Sequence, residues 1–339
     1  MSSILQKYIV EFKNGRDVAD NDAEPLLDAL ISETDESLMA TAFLAWNNKG
    51  IEENEIYLIA KILRERCTKV KSRHEIVVDI VGTGGSKAKT FNVSTAAAFV
   101  TSGAGVAVAK HGNKAATSNT GSADVLSALG VEPAVDAATA ERCLNEIGIC
   151  FMFAPNFHRL SPTLGKVRRG LGFPTIFNCV GPLCNPAGAP HQVIGVWNKE
   201  LVPKLAGALA RLGTKRSWIV HGNDGLDELS LSGASYVAEV ANATINEFDI
   251  LPADFGIAGS PLDGLRCDSA VASGAIIRGI FLGKSANAPQ AIVSMNAAAA
   301  LFISGTANDL PTAARMAAES ISEGRALAKL NELAEATRR

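Results

Sequence analysis

After residue 74 the sequence alternates short apolar runs with helical patterns, and this alternation constrains the fold more than any other feature. The runs are "IVVDI", "VAVAK", "ICFMF", "VIGV" and "WIVHG". Strands joined through helices pair in parallel, because each crossover returns the chain to the same end of the sheet. The pattern therefore predicts an α/β domain with a mostly parallel central sheet flanked by helices. Two later runs, "YVAEV" and "INEFDI", predict antiparallel strands, and three alanine-rich helices are predicted between 268 and 330.

The first 73 residues follow another pattern. Helical periodicities succeed one another without an evident strand, and they cover residues 3–13, 22–32, 36–48 and 52–67. We therefore predict a small N-terminal helical domain over 1–73 and a larger α/β domain over 74–339.

Large apolar side chains crowd the third of these helices, which carries Leu38, Phe43, Leu44 and Trp46. A small helical domain does not usually bury so many of them by itself. We therefore predict a homodimer formed through this domain. The alternative is that these side chains pack inward against the larger domain.

Composition and charge exclude several classes of protein. The 339 residues are 47% apolar, enough for a sizeable core, and the formal net charge of −3 comes from interspersed acids and bases, which disfavours a nucleic-acid partner. The N-terminal stretch lacks the apolar core of a signal peptide, and no apolar run reaches the ~18 residues of a membrane span. We therefore predict a cytoplasmic protein without a membrane partner. Six cysteines without a C-x-x-C pair indicate buried thiols.

Ligands of open α/β sheets bind beyond the carboxyl ends of the strands, so the loops after the strands hold the candidate site residues. The first loop runs from Gly82 to Ser86 and leads into a helix that starts at Asn92. Backbone N–H groups, hydroxyls and a helix N-terminus together suit a phosphate. The loop is not a Walker A loop, because no Gly-Lys-Ser/Thr follows at the required spacing, and it is not G-x-G-x-x-G, because Lys87 stands where the third glycine would be. The alternative is a tight turn that needs glycine at positive φ.

The second loop concentrates cationic and polar side chains after a buried strand. These are Lys110, His111, Asn113, Lys114, Thr117, Ser118 and Ser122. Such groups are costly to place there unless an anionic, oxygen-rich ligand lies between them. A single histidine would more often be a satisfied interior residue, and a single lysine a solvated one, but their combination favours a ligand.

The third loop is basic. It contains Asn156, His158, Arg159, Arg168 and Arg169, and an arginine can hold a carboxylate through two parallel hydrogen bonds. Taken alone, the segment is also consistent with a solvated basic helix.

The fourth loop places two acids side by side, Asp227 and Glu228, between glycines after a strand. Adjacent carboxylates suit Mg²⁺ shared with a diphosphate, because magnesium takes a few hard oxygen ligands and keeps water. The alternative is an exposed acidic turn.

Five motifs in a fixed order indicate a family. They are GTGG-x(5)-FN-x-STA, KHGN-x-A, FAPN-x-H, IFNCVGPLCNPA and DGLDELS. With this combination, from about residue 5 to about residue 335, the chain closely resembles the anthranilate phosphoribosyltransferases, whose group shares its fold with pyrimidine nucleoside phosphorylases. The resemblance implies a helical domain that forms a homodimer and receives a helical contribution from about 160–190. It also implies transfer of the phosphoribosyl group of 5-phosphoribosyl 1-diphosphate to the amine of anthranilate, with release of diphosphate, in tryptophan biosynthesis.

The resemblance also assigns roles to individual residues. The donor, phosphoribosyl diphosphate, would be held by Gly82, Gly85, Ser86, Thr90, Asn92, Val93, Ser94, Thr95, Lys110, His111, Gly112, Asn113, Lys114, Ala115, Ala116, Thr117, Ser118 and Ser122. Mg²⁺ would be held by Ser94, Asp227 and Glu228. Anthranilate would be held by Gly82, Asn113, His158 and Arg168. No catalytic residue is obligatory, because an aromatic amine is already a nucleophile, and His111 or His158 could accept the proton that it loses.

This chain departs from the family pattern in three places. Ser86 replaces the usual aspartate after GTGG, and Lys114 replaces the arginine of KHGNR. The third loop differs more, because it carries Arg159, Ser161, Pro162, Thr163 and Lys166. Two alternatives therefore stay open. One is a related transferase or phosphorylase with another aromatic or heterocyclic acceptor. The other is a non-enzymatic nucleic-acid-binding relative, which would show a basic stripe and eroded donor loops.

Overall fold

A seven-stranded sheet forms the centre of the computed structural model, which describes residues 3–86, 88, 90–114, 121–285 and 287–338. Its strands are β1 (Val77–Gly82), β2 (Ala107–Gly112), β3 (Ile149–Phe153), β4 (His191–Gly195), β5 (Arg216–Gly222), β6 (Ser235–Ala241) and β7 (Thr244–Ile250). They lie in the order β3-β2-β1-β4-β5-β6-β7. The first five are parallel, and β6 and β7 extend the sheet as antiparallel strands, as predicted.

Fifteen α-helices surround the sheet in the described part of the chain. They are α1 (Ile4–Lys13), α2 (Ala23–Ser32), α3 (Glu36–Lys49), α4 (Glu53–Arg66), α5 (Val93–Gly103), α6 (Ser122–Leu129), α7 (Ala137–Ile147), α8 (Ala154–His158), α9 (Pro162–Gly170), α10 (Ile176–Leu183), α11 (Leu201–Arg211), α12 (Ala270–Phe281), α13 (Asn287–Ile303), α14 (Leu310–Ser322) and α15 (Arg325–Ala336). The predicted fold class, a helical N-terminal part followed by an α/β part with a mostly parallel sheet, is confirmed.

Several helices were not predicted. The C-terminal part holds four helices, α12 to α15, rather than three. The short helix α8 follows β3 directly, and α7 buries only Ala140, Cys143 and Leu144, an apolar stripe too sparse to stand out in the sequence. Helix α10 contains Pro182 in its last turn, and proline is normally a sign that a helix has ended.

The N-terminal helices pack against one face of the sheet together with α9, α10 and α11. Helix α3 contacts α9, and α4 contacts α10 and α11, so the segment around 160–190 shares a core with the first four helices. Helices α5, α13 and α15 belong to the core on the other face. The boundary between a helical and an α/β domain stays a prediction.

The expectation that α3 cannot bury its large side chains was wrong for two of them. Trp46 stacks on Phe12 at 4.9 Å between ring centroids, and Phe43 meets Phe177 of α10 edge-on at 6.1 Å. Both are buried because α1 and α10 cover them, and only Leu44 on this helix remains half exposed. Fewer exposed apolar side chains on α3 therefore support the dimer prediction than the sequence suggested.

All six cysteines are buried and free, as predicted. No helix in the described ranges is long and apolar enough to cross a membrane.

Candidate active site

The four loops predicted from the sequence meet around one cavity of about 510 Å³ beyond the carboxyl ends of β1 and β2. Sixteen predicted residues lie on its wall: Gly82, Gly85, Ser86, Thr90, Asn92, Ser94, Lys110, His111, Gly112, Asn113, Lys114, Ser122, His158, Arg168, Asp227 and Glu228. Neighbouring parallel strands end at the same edge of the sheet, which explains why loops distant in sequence converge here.

Some predicted residues lie elsewhere. Val93 and Thr95 do not line the cavity, because the first turn of α5 points their side chains into the core and the Asn92 carboxamide already accepts the Thr95 N–H. Ala115, Ala116, Thr117 and Ser118 lie outside the described residues. In the third loop, Asn156 is exposed and donates to the Ala134 and Val135 carbonyls. Arg159 and Arg169 are exposed and are not part of the wall.

The glycine-rich loop is built against the acidic loop. Gly84 and Gly85 have φ of +66° and +91°, the left-handed region that favours glycine. The Gly84 N–H donates to Asp227 Oδ2 at 3.1 Å, and a Cβ on Gly82 would lie only 2.9 Å from the same oxygen. The glycines are therefore needed both for the turn and for the approach of a carboxylate.

The end of β4 contacts both of these loops and holds them in place. This role of Gly195 was not predicted from the sequence. The Gly195 carbonyl accepts the Thr83 N–H at 2.9 Å and its hydroxyl at 3.0 Å. On its other side, a Cβ on Gly195 would lie 1.5 Å from the Asp227 carbonyl oxygen, so the backbone of the acidic loop rests directly on this glycine.

The two acids are half-buried rather than exposed, so the alternative of an exposed acidic turn is wrong. Burial raises the pKa of Asp227, and burial together with repulsion from Asp227 raises the pKa of Glu228 well above its usual range. Glu228 Oε2 has no hydrogen-bond partner among the described residues. A buried carboxylate oxygen left without a partner beside a second carboxylate fits a divalent cation, which would supply the missing charge.

We expect the metal-free protein to become less stable as the pH rises, because of Glu228. Its folded pKa lies above its unfolded pKa, so the protonated form stabilises the fold at low pH and this contribution is lost as pH rises from about 5 towards the raised value. Thermal unfolding in EDTA at pH 5.5 and pH 8 should show a decrease in wild type that exceeds that of Glu228→Gln by at least about 1 kcal/mol. Glu65→Gln, at an exposed position, is the control and should follow wild type. Equal pH dependence in all three proteins would contradict this expectation.

Lys110 brings a cation to the floor of the cavity. Its Nζ donates to the Ile80 carbonyl and to Ser94 Oγ, and burial lowers its pKa to about 8 although Asp79 and Glu228 attract the charge. Asp79 lies in the same region and was not predicted as a site residue. It is buried on β1, and burial raises its pKa to about 6. An acid in the otherwise apolar run "IVVDI" was the available signal, because a buried carboxylate requires partners.

His111 and His158 form a buried pair with 3.1 Å between their Nε2 atoms. His111 Nδ1 lies 3.1 Å from the Gly181 carbonyl, which can only accept, so Nδ1 carries the proton and neutral His111 accepts from His158 through Nε2. Burial, followed by repulsion from His158, lowers the pKa of His111, and burial lowers that of His158 to about 4. Both rings are therefore neutral near pH 7.

Arg168 brings a second cation to the cavity. Its guanidinium lies 5.1 Å from the centre of the Phe177 ring, and Nη2 donates to Asn178 Oδ1 at 3.4 Å. Burial lowers its pKa to about 10, which leaves it charged at neutral pH. Its Nε has no hydrogen-bond partner in the described part of the chain. Phe177 and Asn178 were not predicted, although they belong to the quoted motif IFNCVGPLCNPA.

Comparisons with known proteins identify the family of this chain. Residues 74–327 match the model of the glycosyl transferase family, a/b domain. The chain is 42% identical over 335 residues to an anthranilate phosphoribosyltransferase of Anaeromyxobacter dehalogenans, which covers 98% of this chain and 99% of that protein. It is 44% identical over 320 residues to one of Chloroflexus aurantiacus, covering 94% of each.

Solved structures give the same result. The anthranilate phosphoribosyltransferase of Thermus thermophilus superposes with a TM-score of 0.89 at 33% identity, over 98% of this chain and 99% of that one. The Saccharomyces cerevisiae enzyme in complex with PRPP and Mg gives a TM-score of 0.89 at 28% identity, over 100% and 99% of the two chains. This chain therefore belongs to the anthranilate phosphoribosyltransferases of the glycosyl transferase family.

Proposed function

We propose that this protein transfers the phosphoribosyl group of 5-phosphoribosyl 1-diphosphate to the amine of anthranilate and releases diphosphate, as a step of tryptophan biosynthesis. The observation that carries the proposal is a single cavity with two separate charge systems. One combines the glycine-rich loop, Lys110 and the two adjacent acids, and the other is the half-buried Arg168. The first suits a diphosphate with a divalent cation, and the second suits an aromatic carboxylate.

The donor side is formed by the ends of β1, β2 and β5. The glycine-rich loop, the start of α5 and Lys110 would contact the phosphates, while Ser94, Asp227 and Glu228 would hold Mg²⁺. Bound Mg²⁺ would supply positive charge to the departing diphosphate. A solved relative binds PRPP and Mg, which supports this assignment. Ser86, in place of the usual acid, donates to the Gly225 carbonyl at 3.0 Å and so ties the glycine-rich loop to the acidic loop through a neutral hydrogen bond.

The acceptor side is formed by α8, α9 and α10. Arg168 would hold the carboxylate of anthranilate, while Gly82, Asn113 and His158 would position the ring and its amine. A solved relative was determined in complex with 4-fluoroanthranilate, which supports this side of the proposal. The enzyme then needs to align the amine with C1 of the ribose, since the amine is already nucleophilic. The neutral pair of His111 and His158 is available to accept the proton that the amine loses.

A fluorescence assay tests the proposal. Anthranilate fluorescence should fall when donor, Mg²⁺ and protein are combined and should stay constant when any one is omitted. A panel of other aromatic and heterocyclic amines, run in parallel, tests the alternative of a different acceptor. Efficient use of another amine with no turnover of anthranilate would refute the proposal. The altered third loop, including the exposed Arg159, makes this comparison necessary.

We also propose a homodimer formed through the N-terminal helices, and a cytoplasmic location for this biosynthetic activity. Val10 on α1 and Leu44 on α3 are 56% and 49% exposed, and these two helices pack side by side. Light scattering at micromolar concentration should give twice the mass of one chain, and Leu44→Glu should shift the protein towards the monomer. Ile245→Glu, on β7, places the same charge at another exposed apolar position and should leave the mass unchanged. A monomeric wild type would contradict the dimer.

A further inference from the structure

No acid among the described residues neutralises the charge of Arg168. The groups that contact it are the ring of Phe177 and the carboxamide oxygen of Asn178, and neither carries a charge. No ion pair involves Arg168 in the described ranges. A half-buried guanidinium held by neutral groups keeps its attraction for an incoming carboxylate, because no acid in the described part of the chain competes for it.

Asn178 connects this arginine to the donor side. Its Oδ1 accepts from Arg168 and, at 3.0 Å, from the Thr175 N–H, while its Nδ2 donates to the Thr83 carbonyl of the glycine-rich loop at 3.1 Å. Asn178 is buried, with 9% of its surface exposed. Its carboxamide oxygen contacts the acceptor side of the cavity, and its carboxamide nitrogen contacts the donor side. An amide carries an acceptor oxygen and a donor nitrogen on one planar group, so it can accept from the arginine and donate to a carbonyl at the same time.

We infer that Asn178 is a positioning residue that holds Arg168 in register with the donor loop, and that its neutrality keeps Arg168 available to the acceptor carboxylate. The inference rests on the proposed function for the identity of the acceptor. It predicts that Asn178→Asp weakens binding of the acceptor carboxylate more than Asn178→Ala does. A carboxylate there would pair with Arg168 and compete with the substrate, whereas alanine would only loosen the arginine.

Calorimetric binding of benzoate tests the inference. Benzoate keeps the carboxylate of anthranilate, lacks the amine and needs no turnover to be measured. We expect Asn178→Asp to weaken benzoate at least about tenfold and Asn178→Ala only about threefold. Asn156→Asp makes the same chemical change in the third loop outside the cavity, and it should bind benzoate as wild type does. Thermal unfolding checks that each variant is folded.

A double-mutant cycle separates positioning from a general structural role. In an Arg168→Ala background, Asn178→Asp and Asn178→Ala should cause no further loss of benzoate affinity, because their effect acts through the arginine. An aspartate no worse than alanine would overturn the inference, as would undiminished losses in the Arg168→Ala background. If Asn178→Asp does not fold, the alanine arm of the cycle still decides whether Asn178 acts through Arg168. Normal benzoate binding without turnover of anthranilate would refute the proposed function and leave this inference standing.

Discussion

Changing Asp227 to Asn and Glu228 to Gln together is expected to lower turnover at least about a hundredfold, the scale of loss when a main electrostatic stabiliser of a transition state is removed. Both side chains lie half-buried on the cavity wall beside the glycine-rich loop, where charged carboxylates can hold a divalent cation against a diphosphate. Turnover of anthranilate at saturating donor and Mg²⁺ measures the effect.

A matched control separates this loss from a general effect of removing two acids. Glu247→Gln combined with Asp249→Asn neutralises two exposed carboxylates on β7 and should leave turnover unchanged. Misfolding is not expected in the Asp227/Glu228 variant, because replacing the two adjacent acids also removes the repulsion between them. Turnover close to wild type at saturating Mg²⁺ would remove the metal assignment.

Arg168→Ala is expected to raise the KM for anthranilate by roughly one to two orders of magnitude, while the KM for the donor changes little. Arg168→Ala removes a charged hydrogen bond to the carboxylate. No other cation of the third loop reaches the cavity wall in the described structure, so the bond is not replaced. Steady-state kinetics with each substrate varied in turn give both constants.

Arg159→Ala and Arg169→Ala are the controls, because both arginines are exposed and lie off the cavity wall. Both variants should keep wild-type constants. If Arg159→Ala alone weakened anthranilate, the carboxylate would bind elsewhere than we assign it. If no variant had an effect while another amine reacted efficiently, the acceptor would be a different molecule.

The periodicity of the sequence was sufficient to predict the sheet and most of the helices. Strands buried on both faces give uninterrupted apolar runs, and the helices between them show one apolar side, so both signals are strong. Periodicity did not predict α10, which only the family resemblance implied, because Gly181 and Pro182 normally end a helix, whereas here they fall in its last turn and line the cavity. Helix α7 was missed because its buried stripe is short.

The candidate site was predictable where chemistry requires unusual residues in a loop. Lysines after a buried strand and adjacent acids between glycines have few structural explanations, and the structure brings both to the cavity. Asn178 was not predictable, because its role depends on hydrogen bonds with both Thr83 and Arg168. Thr83 is distant in sequence from the other two residues. The basic pattern alone could not distinguish Arg168 from Arg169, and only the family resemblance selected Arg168, because the orientation of α9 decides which of the two arginines reaches the cavity wall.

The contact of Gly195 with both Thr83 and Asp227 has an evolutionary consequence. Any side chain at this position would push the acidic loop away from the glycine-rich loop, so the relative placement of these two loops leaves little room for change. The acceptor half is formed instead by α8, α9 and α10, a segment whose tip at Arg159 is exposed and free of such contacts. Selection, or a designer, can therefore exchange the acceptor by remodelling one short stretch of chain while an inherited phosphoribosyl-transfer apparatus stays intact, and the altered third loop lies where such remodelling is least costly.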